Sequence, residues 1–222
     1  MHQQLISIKT LRSKLFFSLL LLYCLNINSQ LQAQSPYISI KLSNGIVFDL
    51  PKNWRVFDMN TRTTLEAFAY SKNPIKINSE LPFAANLYNS NNQTIGIMNI
   101  RVYPGMDVSQ NEVIHLFDTT VMKQFNEQLR NSISEGVKLS GGKVVEWYGT
   151  EKVQIKQKVY LLTKYKRRSA LDRNKYFKVS LLRLLDRNSS FTLTTSYDES
   201  NEFLLKPITN VIINSIETNE AR

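Results

Sequence analysis

Hydrophobic and polar residues alternate along much of the chain. In "YISIKLSNGIVFDLPKNW", Ile38, Ile40 and Leu42 alternate with Ser39, Lys41 and Ser43, the mark of a strand with one buried face. Asn44-Gly45 predicts a type I′ hairpin turn, because both residues tolerate positive φ. "IVFDL" returns as a second strand, and Pro51 ends it. Residues 63–70, "TTLEAFAY", read as a strand and "AANLYN" as a short one. "TIGIMNIRVYP" (94–104) reads as a long strand, with Ile95, Ile97, Asn99 and Arg101 on one face and Ile100 and Val102 on the other.

The period then lengthens. Ser109 and Glu112 have capping-box spacing, and Val113, Phe117, Val121, Phe125 and Leu129 recur every four residues. This stripe predicts one helix over 109–134 lying across a sheet. Strands are expected again at 141–150, 153–167, 175–185 and 190–197. They are joined by "GT", "RSALDRN" and "DRNSS", short connections that favour antiparallel neighbours. A last helix spans about 200–216, with Ile208, Val211, Ile212 and Ile216 on its apolar side and Pro207 breaking it or opening its longer part. The order predicts an α+β domain: an antiparallel sheet with helices packed on its faces.

The N-terminus changes this picture. Lys9, Arg12 and Lys14 precede an apolar run, Leu15–Leu25, that is too short for a membrane span. Leu31-Gln32-Ala33 completes an export signal, so residues 1–33 are expected to be cleaved and 34–222 to form one domain in the periplasm or outside the cell. Cys24 is read as part of the apolar run, since Tyr23 rather than a small residue precedes it. The remaining chain has no cysteine, so its stability comes from a core rather than from disulfides.

Several stretches resemble the PsbP-like family, which includes the Ran-binding Mog proteins and periplasmic DcrB-type proteins. They are "NGIVFDLPKNWRV" (44–56), the strand-then-helix order of 94–134, the meander from "GGKVVEWYG" to "SFTLTTSY", and the closing "FLLKPITNVIINSIE". The resemblance covers about residues 44–217. It implies an α/β/α sandwich with a central antiparallel sheet, binding or assembly roles, and no shared active site.

Catalytic material is sparse. His115 is the one histidine after the leader, and the chain has no G-x-S-x-G elbow, P-loop or G-x-G-x-x-G motif. No metal site or cofactor is expected. Asp49, Asp58, Glu66, Asp107, Glu112 and Glu146 are scattered, and only the fold could pair two of them. Asp198, Glu199 and Glu202 read as acids favoured at a helix N-terminus. Trp54 and Trp147 read as core or rim residues, and Gly141-Gly142 as a plain turn.

Charge is the clearest functional signal. Residues 34–151 carry 11 basic and 11 acidic side chains, whereas 152–187 carry 12 basic and two acidic. "KYKRRSALDRNKYFK" (164–178) holds seven of these cations: Lys164, Lys166, Arg167, Arg168, Arg173, Lys175 and Lys178. Alternation over 153–167 puts Lys152, Lys156, Lys158, Lys164 and Lys166 on one face. The bland reading is a solvated strand face whose lysines discourage edge pairing. The sharper one is a hairpin for phosphate or carboxylate. Its expected partner is an acidic protein surface or an anionic envelope lipid; nucleic acid fits an exported protein less well. The leading expectation is a non-catalytic binding, adaptor or assembly protein of the cell envelope. A secreted hydrolase with carboxylates assembled by the fold, or an immunity-type toxin-binding protein, is the alternative.

Overall fold

The computed structural model describes residues 35–72, 79–105, 109–187 and 190–218. The expected leader and its cleavage site lie outside them. Residues 38–222 cluster as one unit. The first hairpin pairs β1 (Tyr37–Lys41) with β2 (Ile46–Pro51). Its turn differs from the expected type I′ form. Gly45 N–H donates to the Leu42 carbonyl, and of the two expected residues only Gly45 has positive φ, +82°. Residues 43–45 thus make a three-residue loop with glycine in the left-handed position.

The main sheet has seven strands in the order β3-β4-β5-β9-β8-β7-β6, with each neighbouring pair antiparallel. They are β3 (Arg55–Val56), β4 (Glu80–Tyr88), β5 (Thr94–Tyr103), β6 (Lys143–Ile155), β7 (Lys158–Arg168), β8 (Tyr176–Leu184) and β9 (Ser190–Asp198). The short β10 (Glu217–Thr218) pairs with β2 and completes a separate three-stranded sheet. The main sheet carries helices on both faces: α1 (Met59–Lys72), α2 (Gln110–Leu116) and α3 (Thr119–Leu139) on one, and α4 (Glu202–Ser215) on the other. The small sheet packs beside α4, so Ile46, Phe48 and Leu50 join the main core, with Phe48 edge-on to Phe83 at 4.9 Å.

Three expected elements are corrected. Residues 63–70 belong to helix α1 rather than a strand. Asp58 starts it by accepting from Thr61 N–H at 2.7 Å, and the Thr63 and Thr64 hydroxyls donate to carbonyls four residues back. Their β-branched shape suggested a strand, but the cap and these bonds accommodate them in the helix. The 109–134 helix is two helices. The capping box at Ser109 and Glu112 forms, but the chain breaks at Phe117, and Asp118 caps α3 through Thr120 and Val121 N–H at 2.8 Å. Phe117, Val121 and Phe125 do not form a buried stripe: Phe117 and Phe125 meet edge-on at 5.2 Å, both half-buried, and Val121 is exposed.

The third correction moves a turn. Gly149-Thr150 does not reverse the chain. Gly149, at φ +101°, sits at an irregularity within β6, and the reversal comes at Lys156-Gln157, where Lys156 has φ +54°. A glycine at positive φ serves a bulge as readily as a turn. Beyond it the meander is as expected. At the C-terminus, α4 runs through Pro207, which neither breaks nor opens it.

Candidate functional site

The relocated turn dissolves the five-lysine face. Lys152 lies on β6 and donates to the Ile114 carbonyl at 3.1 Å. Lys156 is in the turn, paired with Glu217, and Lys158 faces Asp186 at 3.7 Å. The seven hairpin cations meanwhile separate into three environments.

Lys164, Lys166 and Lys178 share the face covered by α4. Lys166 and Lys178 are register partners across β7 and β8. The chain end of β9 brings acids to them. Lys166 Nζ lies 2.7 Å from Glu199, and Lys178 Nζ lies 2.6 Å from Glu202 and 3.8 Å from Glu199. Lys206 approaches Glu202 from one helical turn on, at 3.7 Å. The network shifts its members as opposite charges should. The hydrogen bond to Glu199 raises the Lys166 pKa, and the hydrogen bond from Lys178 lowers that of Glu202. Lys164 pairs with Glu151 on the neighbouring strand at 3.0 Å. Asp198 caps the turn by accepting from Ser200 N–H, whereas Glu199 and Glu202 are chiefly lysine partners. The helix-terminus reading of the three acids therefore holds for Asp198 and is incomplete for the other two.

Arg167 points to the opposite face. Its guanidinium lies over the Phe177 ring, 5.3 Å from the centroid, and burial lowers its pKa. Phe177 belongs to a second apolar cluster with Tyr165, Val179 and Leu181, against which Ile133 and Val137 of α3 pack. Trp147 stacks on Tyr165 at 5.8 Å and donates its indole N–H to Asn126 at 3.0 Å.

Arg168, Arg173 and Lys175 form the third group, at the sheet's end. The loop between β7 and β8 is built locally. Ser169 N–H donates to the Lys175 carbonyl, the Ser169 hydroxyl accepts from the Leu171 and Asp172 amides, and Asp172 accepts from Asn174 N–H. These bonds hold Leu171 outward, 100% exposed. Lys143 stands opposite Arg168 in the register, and Lys138 closes α3 beside them. Among the described residues, Lys138, Lys143, Arg168, Arg173 and Lys175 enter no ion pair; Lys175 donates to the Gln93 side chain at 3.3 Å. The Arg168 Nε is buried without a hydrogen-bond partner. Neither Lys138 nor Lys143 is legible in the sequence as a neighbour of Arg168: the β6–β7 register places Lys143 opposite it, and the turn at Gly142, against the Arg168 carbonyl, brings the end of α3 close.

The other singled-out groups have local roles. His115 is exposed near the end of α2, and Trp54 is buried in the main core. Glu66 pairs with Arg101 at 3.3 Å, Glu112 completes its capping box and meets Arg187, and Glu146 accepts from the Tyr148 hydroxyl. Asp107 lies outside the described residues. No helix among the described residues is long and apolar enough to cross a membrane.

No protein-family model and no curated protein sequence matches the chain. Solved structures do. The PsbP protein CyanoP of Synechocystis sp. PCC 6803 matches at TM-score 0.48 and 12% identity, over 85% of this chain and 95% of that one. LpqN of Mycobacterium tuberculosis, described as involved in cell envelope biogenesis, matches at 0.45 and 12%, over 82% and 91%. The Ran-binding protein Mog1p of Saccharomyces cerevisiae matches at 0.42 and 9%, over 82% and 95%. PsbP and Mog proteins, which the sequence resembles, are thus among the solved structures this chain matches, and the likeness is one of fold alone.

Proposed function

We propose that this chain is an exported, non-catalytic binding protein of the cell envelope, a single domain over 34–222 after cleavage at Ala33, which docks the end of its β7–β8 hairpin on an anionic surface. One observation carries the reading: Lys143, Arg168, Arg173 and Lys175 gather at one end of the sheet, with Lys138 in the last turn of α3, and among the described residues none of the five enters an ion pair. The wholly exposed Leu171 between them favours a lipid surface over an acidic protein, because an apolar tip enters the headgroup region while cations hold phosphates. Each basic residue near an anionic membrane contributes about 1 kcal/mol, so this group acts collectively. Lys164, Lys166 and Lys178 already hold carboxylates and contribute less than their charge suggests.

The test is co-sedimentation with vesicles containing phosphatidylglycerol, beside pure phosphatidylcholine vesicles, over a salt series. Retention on the anionic vesicles that fades with salt supports the proposal, since exposed charges are screened over about 8 Å at physiological ionic strength. The variant with Lys143, Arg168, Arg173 and Lys175 changed to Gln is expected to lose retention and to keep the parent's Tm. Equal retention of parent and variant at every salt concentration refutes the docking role. A stoichiometric acidic protein captured by the parent alone would replace the membrane by that partner. Export is checked separately by mass spectrometry, which is expected to find Gln34 at the N-terminus of the protein taken from its host.

A further inference from the structure

On the sheet face beneath α4, a cleft of about 370 Å³ opens between the helix and strands β6 to β9. Its size lies near the lower end of the range for small-molecule sites. None of the unpaired hairpin-end cations lines it. It is therefore a separate site and does not rest on membrane docking.

The walls carry three amines, Lys164, Lys178 and Lys206, against one carboxylate, Glu202. Their partners differ in firmness. Lys178 is fixed at 2.6 Å from Glu202. Lys164 holds Glu151 at 3.0 Å, but those side chains are 47% and 58% exposed. Lys206 is 63% exposed and 3.7 Å from Glu202. Exposed pairs of this kind contribute little to stability, so Lys164 and Lys206 exchange these carboxylates for a ligand at little cost. The acids behind the walls, Glu146, Glu151 and Glu199, offset the lysines, Glu151 and Glu199 by direct pairing with Lys164 and Lys178, and weaken any attraction for anions in bulk. An anion is therefore selected by direct contact inside the cleft and not by a long-range field.

The remaining lining includes Tyr148, Tyr165 and Val179 and is otherwise hydroxyls and one carboxamide. Tyr197 and Ser180 come from the sheet, and Thr209 and Asn210 from the helix. Burial first, and the neighbouring Glu202 next, push the Tyr197 phenol up to about 12; its proton is held by Glu202, and its oxygen stays open to accept from a ligand hydroxyl. Donors outnumber acceptors, and the matching ligand is rich in acceptors, small, and hydroxylated as well as charged. We infer that the cleft binds a small anionic sugar, a sugar acid or a sugar phosphate, with its charged group between Lys164 and Lys206 and its hydroxyls against Ser180, Tyr197 and Asn210.

The experiment is calorimetric titration of the protein with glucuronate, glucose 6-phosphate, glucose and inorganic phosphate, with amide NMR shifts to locate binding. Glucuronate or glucose 6-phosphate is expected to bind saturably, and more tightly than glucose or phosphate. The perturbed amides should include those of Ser180 and Asn210. Lys164→Gln and Lys206→Gln alter exposed side chains and leave the Tm in place. Each is expected to weaken the anionic sugar by about tenfold, the scale of one lost charged hydrogen bond. The hairpin-end variant is expected to bind the sugar as the parent does. Glucose binding as tightly as glucuronate and glucose 6-phosphate would overturn the anionic assignment. Inorganic phosphate binding as tightly as glucose 6-phosphate would overturn the sugar assignment. Saturable binding of none of the four, or loss in the hairpin-end variant alone, would overturn the site.

Discussion

The two faces of the main sheet are built to different depths. Beneath α4 and the small sheet, 21 buried apolar residues among those described form one cluster running from Ile46 to Ile216. Beneath α3, only Tyr165, Phe177, Val179 and Leu181 are buried in the corresponding cluster, and no residue of α3 itself is fully covered. The deep face is closed by two segments distant in sequence, the β1–β2 hairpin and the α4–β10 stretch, while the shallow face is roofed by helices. The same difference governs the cations. On the deep face the chain returns after β9 and brings Glu199 and Glu202 to Lys166 and Lys178, whereas among the described residues no ion-paired acid meets the cations at the sheet's end. Charge is thus available for partners where the fold stops covering the sheet.

The contrast is broken most directly from the deep side. Phe191 is 1% exposed and packs with Tyr160 at 6.2 Å. Phe191→Ala is expected to cost about 3–5 kcal/mol in urea unfolding. A loss below about 1 kcal/mol would mean that this face is no deeper than the other. On the shallow side, Phe117→Ala removes a half-buried ring facing Phe125 and should cost about 1–2 kcal/mol by the same measurement. A loss as large as that at Phe191 would erase the distinction.

A smaller effect tests whether α3 is separately started. Asp118→Ala removes a cap that accepts from two amides and is expected to cost about 1 kcal/mol, with the loss of protection confined to the first turn of α3 in hydrogen exchange. Unchanged exchange there would mean that one continuous helix forms in solution. The smallest effect concerns pH. Glu202 has a lowered folded-state pKa, caused first by Lys178, so its contribution is present above the unfolded glutamate value and lost as pH falls through the folded one. Lys166 has a raised pKa, caused first by Glu199, so its contribution is complete below the unfolded lysine value and lost as pH rises through the folded one. The small Tm deficit of Glu202→Gln at neutral pH should therefore vanish below the ordinary glutamate range. A deficit that persists in strong acid would show that the glutamine perturbs packing rather than charge.

Strands β5 and β7 to β9 are legible because alternation and short connections are local properties of the chain. The capping box is legible for the same reason: Ser109 and Glu112 are three residues apart, and both bonds form. The split of the 109–134 helix is local, set by the Asp118 cap, but the other two misread elements share one cause. Thr63, Thr64 and Gly149 each suit two backbone states, and distant contacts choose between them. Helix α1 meets β4 through Arg62 and the Pro82 carbonyl, and β6 continues past Gly149 because Thr150 pairs with Thr163 across the sheet. The candidate site was half legible. Its cations are plain in the sequence, but their separation into paired, stacked and free groups is not.

The sequence by itself determined the alternation that makes the meander, the local caps and the excess of positive charge over residues 152–187. Only the tertiary structure decided which of those charges remain available. Composition fixes how many cations exist, but an ion pair needs atoms within about 4 Å, and that proximity is set by strand register and by the return of the chain. Glu202 is 24 residues from Lys178, yet their side chains meet at 2.6 Å. Lys143 is 25 residues from Arg168, and the β6–β7 register sets the two cations opposite each other, neither in an ion pair among the described residues.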